Sequence, residues 1–211
     1  MGRIYLVRHG QTAWNRARIF RGRRDVPLNE QGRREAEYAA KALHDVPFAR
    51  LYTSPLSRAR ETAEIIADGR NAPVTSDPAF TDLDFGDWTE YWDFEARAKF
   101  KELYRLWEES PHLVRFPGGE TLDEARKRSV TRLFEIAERH WRETICLISH
   151  RVILKLMLCE ANGLPTSAFW DVPLDTGAIS VLEFSDGCFH AVSENDCRHL
   201  ESLREHESAD F

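Results

Sequence analysis

The chain has 211 residues and a mass of 24.5 kDa, which suits one domain, or one domain with a small insertion. Hydrophobic residues make up 42% and charged residues 30%, which excludes a disordered chain. The net charge of −6 and the pI near 5.8 argue against a nucleic-acid partner. We see no apolar run long enough to span a bilayer and no leader pattern, and the four cysteines form no C-x-x-C pair. We therefore expect a cytoplasmic protein without a membrane partner.

The predicted elements alternate between strands and helices along the chain. The first half has a strand at residues 3–8, a helix at 29–43, a strand at 50–53 and a helix at 56–67. The second half has helices at 90–108 and 121–141, a strand at 144–149, a helix at 152–161, and strands at 178–184 and 188–193. This order predicts one domain over residues 1–211, an α/β/α sandwich with a mostly parallel central sheet.

Chemically active side chains follow three of the predicted strands. Arg8 and His9 stand at the end of the first strand, and Arg58 comes shortly after the second. His150 directly follows the buried strand at 144–149. Ligands of such sheets bind outside the carboxyl ends of the strands, so we expect these side chains to meet at one edge.

These residue types suit phosphoryl transfer without a metal ion or cofactor. A neutral imidazole is a good nucleophile toward phosphorus when a backbone carbonyl holds its other nitrogen. Arginine forks bind phosphate oxygens and stabilise their charge in the transition state. A proton donor for the leaving oxygen is still needed, and the acidic loop at residues 81–88 offers candidates.

A basic cluster follows the first strand. Its five arginines, within nine residues, are Arg16, Arg18, Arg21, Arg23 and Arg24. Such a run is either a solvated loop or a positive funnel for a small anion. A nucleic-acid surface is a weaker interpretation, because the net charge is negative and a single aromatic residue, Phe20, stands among the arginines.

Five short segments, in order, resemble the signature of one family. They are L-V-R-H-G-Q-T at 6–12, P-L-N-E-Q-G at 27–32, S-P-L-S-R-A at 54–59, F-P-G-G-E-T at 116–121 and I-S-H at 148–150. The chain resembles the small phosphatase branch of the histidine phosphatase superfamily, also called the phosphoglycerate mutase-like family. The resemblance covers nearly the whole chain, and it implies the same three-layer fold.

The resemblance also implies a role for each matching residue. His9 would be phosphorylated and then hydrolysed, while Arg8 and Arg58 would clamp the phosphoryl oxygens. His150 would donate to the same group, and Asn15 would add a hydrogen bond to it. The implied protein needs neither metal nor cofactor.

Two of the departures from the family pattern fall on candidate site residues. Asp82 stands where the small phosphatases more often carry a glutamate as proton donor, and it reaches about one methylene less far, so Asp84 and Glu90 remain alternative acids. Arg21 replaces the usual glutamine before Gly22. Both Arg21 and Gly22 are candidate substrate-binding residues, and the change leaves the substrate open.

The resemblance implies a phosphomonoesterase acting on a small phosphorylated metabolite: phosphoserine, α-ribazole phosphate or a broad range. A phosphoglycerate mutase is the alternative, although the segment before the second histidine is shorter than mutases usually have. A non-catalytic protein that binds phosphorylated ligands is a second alternative. We expect a helical, aromatic-rich insertion around residues 85–120 to cover the site. Its aromatic residues could instead pack in the core or form the face of a homodimer.

Overall fold

The computed structural model describes residues 1–204, which contain six strands and eight α-helices. The strands are β1 (Gly2–Arg8), β2 (Arg50–Thr53), β3 (Val74–Ser76), β4 (Thr144–Ser149), β5 (Ile179–Ser185) and β6 (Cys188–Asp196). The helices are α1 (Ala13–Arg16), α2 (Glu30–Ala42), α3 (Ser57–Ala67), α4 (Asp93–Lys99), α5 (Lys101–Glu109), α6 (Leu122–Arg139), α7 (Arg151–Ala161) and α8 (Glu201–Arg204). Residues 205–211 of the predicted domain lie outside the described residues. None of the helices within 1–204 is both long and apolar enough to cross a membrane.

The strands form one sheet in the order β3-β2-β4-β1-β5-β6. Strands β3, β2, β4 and β1 pair in parallel, whereas β5 runs antiparallel to both β1 and β6. Among the described strands, β5 alone therefore runs against the rest. The prediction of a mostly parallel central sheet is confirmed.

The sheet separates two hydrophobic cores. In β1, Ile4 and Leu6 belong to the larger core beneath α6 and α7, whereas Val7 belongs to the core beneath α2 and α3. In β4, Leu147 faces the first core and Ile148 the second. Because alternate side chains of a strand point to opposite faces, this division gives three layers, as predicted.

Local signals in the sequence place several element ends. The Asn29 side chain accepts a hydrogen bond from Gly32 N at 2.8 Å and so caps the start of α2. Thr121 and Glu124 form a reciprocal capping box at the start of α6. Asp186 and Gly187, with φ of 53° and 74°, form the turn between β5 and β6.

The structure adds two four-residue helices that were not predicted, α1 and α8, and it differs from the predicted elements in two further places. The helix predicted over 90–108 is two helices, α4 and α5, because the backbone of Phe100 (φ −113°, ψ 43°) leaves the helical region. Strand β3 was not predicted, because its three residues lie at the sheet edge and two of them are exposed. A short exposed edge strand has too few alternating apolar residues to show as a pattern.

Candidate active site

The strand order brings three loops together at one edge of the sheet. Strands β2, β4 and β1 are neighbours, and Ser54, His150 and His9 directly follow their carboxyl ends. The His9 backbone N–H donates to the carbonyl of Ser149 at 3.0 Å, which ties the first loop to the end of β4. The rings of His9 and His150 are 5.1 Å apart between centroids. The histidines predicted from the strand ends are thus in contact.

His9 is buried, with one ring nitrogen tied down. Its Nδ1 is 2.7 Å from the carbonyl oxygen of Gly10, so Nδ1 carries the proton and donates to it. Nε2 is also buried and has no hydrogen-bond partner within residues 1–204. Burial, with the nearby guanidinium groups of Arg58 and Arg8, holds the pKa of His9 well below its usual value. The imidazole is therefore neutral, with its Nε2 lone pair unprotonated.

Arg58 connects the parts of the site. Its Nε donates to Nδ1 of His150 at 3.3 Å, and its Nη2 lies 3.4 Å from Oδ2 of Asp82. The carbonyl oxygens of Gly22 and Arg24 accept from Nη2 and Nη1 at 2.9 and 2.8 Å. The side chain is fully buried. These contacts orient a guanidinium between the second histidine and the acid, and they give Gly22 a role in holding Arg58.

His150 has a partner at each ring nitrogen. Nδ1 accepts from Arg58, so Nε2 carries the proton and donates to Oγ of Ser54 at 2.7 Å. Burial, and then the charge of Arg58, lower the pKa of His150 well below its usual value. Because a hydroxyl both donates and accepts, Ser54 supports either tautomer of this ring. In the sequence, Ser54 stands out only as part of the motif at 54–59, and we predicted no function for it.

Of the three candidate acids, Asp82 lies with the histidines and Arg58. Its side chain is 7% exposed, and Oδ2 is 3.8 Å from Nδ1 of His150. Asp84 instead pairs with Arg23 at 3.4 Å. Glu90 is half exposed and pairs with Arg24 at 2.5 Å. The geometry therefore favours Asp82 among the three.

A partly buried ion pair holds the Asp82 loop in place. Arg128, on α6, donates to the Asp82 carbonyl at 3.1 Å and to that of Ala79 at 2.7 Å. Its Nε is 2.9 Å from Glu120. Desolvation raises the pKa of Glu120, but the hydrogen bonds and charge of Arg128, with the backbone N–H of Asp84 and the charge of Arg23, together lower the pKa by more, so the net pKa is lowered. Sequence reasoning missed Arg128, because its helical position shows no sign of the loop that it contacts.

Arg8 and Asn15 complete the set of predicted phosphate-binding residues. Arg8 is fully buried at the end of β1, and its Nη1 donates to the carbonyl of Leu174 at 2.8 Å. Asn15 is 3% exposed, and its Oδ1 accepts from both the backbone N–H and the hydroxyl of Thr12 at 2.9 Å. With Oδ1 held there, the amide NH₂ is the end of Asn15 that suits a phosphate oxygen.

A cavity of about 330 Å³ adjoins Asp82. Its aromatic walls are Phe20, Phe85, Tyr104, Trp107, Phe169 and Trp170. Its charged lining comprises Arg18, Arg21, Arg97, Arg151, Asp82, Asp93 and Glu108. The segment predicted to cover the site thus forms part of the wall, together with residues after α7 that sequence reasoning did not select. The basic cluster divides, because Arg18 and Arg21 line the cavity whereas Arg23 and Arg24 form ion pairs.

Comparisons with known proteins agree with this geometry. The family model of the histidine phosphatase superfamily (branch 1) matches residues 4–197. The chain belongs to the histidine phosphatase superfamily. It is 33% identical to phosphoserine phosphatase 1 of Hydrogenobacter thermophilus over 186 residues, with 88% of each chain covered. The solved structure of Bacillus stearothermophilus YhfR superposes with a TM-score of 0.92 at 33% identity and covers 95% of this chain and 100% of its own.

A further relative of this histidine phosphatase is a mutase by name. The 2,3-bisphosphoglycerate-dependent phosphoglycerate mutase 2 of Gloeobacter violaceus is 32% identical over 204 residues, with 93% of each chain covered. The family and the relative named as a phosphatase support a phosphatase.

Proposed function

We propose that this histidine phosphatase hydrolyses phosphate monoesters of small metabolites through a phosphohistidine on His9, without a metal ion. The observation that carries the proposal is the state of His9. Its Nδ1 is held by Gly10, and its unprotonated, buried Nε2 lies where Arg58 and Arg8 lower its pKa. A neutral nucleophile beside fixed positive charge is what attack on a phosphate dianion requires.

In the first step, Nε2 of His9 attacks the phosphorus atom and the bond to the alcohol oxygen breaks. Arg8, Arg58 and the amide of Asn15 bind the phosphoryl oxygens. When substrate binds, Nε–H of Arg58 turns from Nδ1 of His150 to a phosphoryl oxygen. His150 then takes its Nδ1–H tautomer, with Ser54 donating to Nε2, and donates through Nδ1–H to the same group. The carboxylic acid of Asp82 gives its proton to the leaving oxygen, so that the product departs as a neutral alcohol.

In the second step, the same carboxylate acts in reverse. Asp82, now ionised, takes a proton from a water molecule whose oxygen attacks the phosphorus atom. The phosphorus–nitrogen bond breaks, and His9 recovers its Nε2 lone pair while Asp82 is again protonated. The products are inorganic phosphate and the enzyme in its starting state, so no further reactant is needed.

Replacement of His9 tests the proposal directly. We expect His9→Ala to abolish both turnover and an acid-labile, base-stable phosphoenzyme, measured by labelling with a phosphomonoester. The folded state is checked by thermal denaturation. A label of that kind in His9→Ala would assign the nucleophile elsewhere, and a wild type that binds phosphate esters without turnover would be a non-catalytic binding protein.

Chelation tests the absence of a metal. Arg8 and Arg58 supply the positive charge that a metal supplies in other phosphatases, so we expect full activity in EDTA. Phosphate release is measured before and after dialysis against the chelator. Loss of activity that added Mg²⁺ restores would overturn the mechanism.

The cavity supports a broad substrate range. Its volume of about 330 Å³ lies in the range of small-molecule sites, and aromatic side chains form much of its wall. Such walls accept organic groups of several shapes. Phosphoserine, α-ribazole phosphate and other phosphometabolites are the substrates to test, in one panel with release of inorganic phosphate as the readout.

A phosphoglycerate mutase is the second candidate, favoured by the Gloeobacter relative. The two activities differ in whether water or a phosphoglycerate accepts the phosphoryl group. We expect 3-phosphoglycerate with a trace of the bisphosphate to release phosphate at least as fast as 2-phosphoglycerate forms. Isomerisation that outpaces release by a wide margin would make the protein a mutase.

A further inference from the structure

A buried carboxylate outside the catalytic set lies one peptide group away from His9. Glu35 is on α2 and is 3% exposed. Its Oε2 accepts a hydrogen bond from the backbone N–H of Gln11 at 2.8 Å. Acidic side chains are almost never this deeply buried without a specific partner. One partner of Glu35 is this backbone N–H of Gln11, two residues after His9. The hydrolysis described above leaves Glu35 without a function.

The N–H of Gln11 and the carbonyl of Gly10 are the two ends of one planar peptide group. The carbonyl end accepts from Nδ1 of His9 at 2.7 Å, and the N–H end donates to Glu35. The second contact therefore fixes the direction of the first. A hydrogen bond to a charged oxygen also polarises the peptide group and makes its carbonyl a stronger acceptor. Glu35 and the His9 imidazole are thus linked through a single peptide group.

Close backbone contacts make this link rigid. A Cβ atom on Gly10 would lie 2.1 Å from the carbonyl oxygen of Gly32, and one on Gly32 would lie 2.0 Å from that of Gln11. The first turn of α2 therefore packs directly on the peptide group between histidine and carboxylate. The other oxygen of Glu35 accepts from the hydroxyl of Thr176 at 3.3 Å, which holds the carboxylate from its far side.

We propose that Glu35 is a positioning residue for His9. Through the Gln11 peptide group it holds the Nδ1–H tautomer and makes Nε2 more electron-rich. This effect opposes the withdrawal of electron density by Arg8 and Arg58, which bind the phosphate but weaken the nucleophile. The inference rests on the proposed function, in which Nε2 of His9 attacks phosphorus.

Two substitutions separate the carboxylate's charge from its hydrogen bond. Glu35→Gln keeps an oxygen that accepts from Gln11 and loses the charge, and Glu35→Leu loses both. We expect phosphoenzyme formation to slow by about 3- to 10-fold in the first and about 10- to 100-fold in the second. KM should change little, because Glu35 does not line the cavity. Glu37→Gln removes the same charge from an exposed position of α2 and should leave the rate unchanged.

The tautomer of His9 gives a readout that needs no turnover. In ¹⁵N spectra of the ligand-free, histidine-labelled protein, we expect His9 to be an Nδ1–H imidazole in the wild type and in Glu37→Gln. Glu35→Leu should show a new population of the Nε2–H tautomer. Rates and spectra like those of Glu37→Gln would overturn the proposal, and so would a slower rate with an unchanged tautomer. A wild type that forms no phosphoenzyme would instead overturn the proposed function, and the spectra would still decide the role of Glu35.

Discussion

At the scale of single residues, the proposed reaction assigns nucleophilic attack to a histidine and proton donation to a carboxylic acid. His9 and His150 are neutral because burial and Arg58 lower their pKa values, whereas Asp82 lies where it contacts both the arginine and the cavity. In the proposed mechanism, a neutral nucleophile and a separate acid allow attack and leaving-group protonation to occur together. The contribution of Asp82 then depends on how strongly the leaving oxygen needs a proton.

Asp82→Asn should slow an alkyl phosphate by about 10²- to 10⁴-fold, because an alkoxide needs its proton in the transition state. The same variant should slow p-nitrophenyl phosphate far less, because nitrophenolate is a weak base. Rapid mixing should show a burst of nitrophenolate when hydrolysis of the phosphoenzyme becomes limiting. These measurements are compared with wild type under saturating substrate.

Asp84→Asn and Glu90→Gln are the matched controls for that comparison. Both carboxylates form ion pairs away from the histidines, so we expect similar small losses on both substrates. Equal large losses on both substrates in Asp82→Asn, without a burst, would show that Asp82 only shapes its loop. A leaving-group effect in either control would then identify the acid.

The residues of the site were predictable to different degrees. His9, Arg8, Arg58 and His150 follow strand ends or occur in short motifs, so the chain itself marks them. The resemblance placed Asp82 first among the three acids, but no local pattern shows that Asp84 and Glu90 pair with Arg23 and Arg24 instead. Arg128 shows the same limit, since its contacts with residues 79 and 82 arise only when α6 packs on that loop.

At the scale of elements, helix α7 begins at the candidate active site and also carries a buried lysine, Lys155. His150 precedes this helix, Arg151 lines the cavity, and Lys155 lies one turn further on at 2% exposure. The ammonium of Lys155 contacts the rings of Phe169 and Trp170, at 4.2 and 4.8 Å from their centroids. Burial, with the charge of Arg151, lowers the pKa of Lys155 to about 7.

Lys155→Met should raise the free energy of unfolding at pH 7 by about 1–3 kcal/mol, because an apolar chain of similar shape replaces a buried cation. The unfolded lysine binds its proton up to about pH 10.4, and the folded one releases it near 7, so wild-type stability rises with pH in this range. The advantage of the variant should therefore shrink by about 2 kcal/mol between pH 7 and 9. Guanidinium unfolding at both pH values measures it, and a variant that is less stable at pH 7 would contradict it.

The segment between β3 and α6 shows why one element was predicted wrongly. Trp88 is fully buried, and it stacks on Phe100 and Tyr104 at 5.6 and 5.4 Å between ring centroids. The sequence shows the apolar spacing of a helix here, but this stacking holds the chain where α4 ends and α5 begins. A periodic pattern indicates which residues are buried, but it does not show that a helix ends at Phe100 when the stabilising ring belongs to Trp88.

At the scale of the whole molecule, the buried histidine pair couples stability to pH. The folded state disfavours the protonated form of both rings, whereas the unfolded chain binds those protons near pH 6.5. Below that pH the unfolded state holds more protons, so the free energy of unfolding falls as pH falls. Acid should therefore weaken the fold through the same feature that keeps the nucleophile neutral.

The double variant His9→Gln/His150→Gln should lose about 2 kcal/mol less stability than wild type between pH 6.5 and 5.5. Guanidinium unfolding at the two pH values measures the difference. His44→Gln, at an exposed position, is the control and should follow wild type. If the wild type and the double variant lose the same free energy of unfolding, the folded state does not keep His9 and His150 unprotonated.

The layers and most strands of the fold were predictable because buried strands and amphipathic helices alternate along the chain. The order of the strands was not, because it depends on pairings between residues far apart. Neighbouring residues of β1 and β4, such as Arg3 and Thr144, are more than 130 positions apart. No local pattern in either strand encodes that choice of partner.

The central position of β1 also dictates how the chain acquires its shape during synthesis. The strand leaves the ribosome well before its partners on either side, β4 and β5, which follow it by more than 130 residues. Until then both edges of β1 are open, and its apolar residues are available for pairing with another nascent chain. High contact order slows folding, and β1 can be paired on both sides only after residues 179–185 have emerged. A chain stopped before them would have both histidines and still lack the strand that closes the sheet beside the first of them.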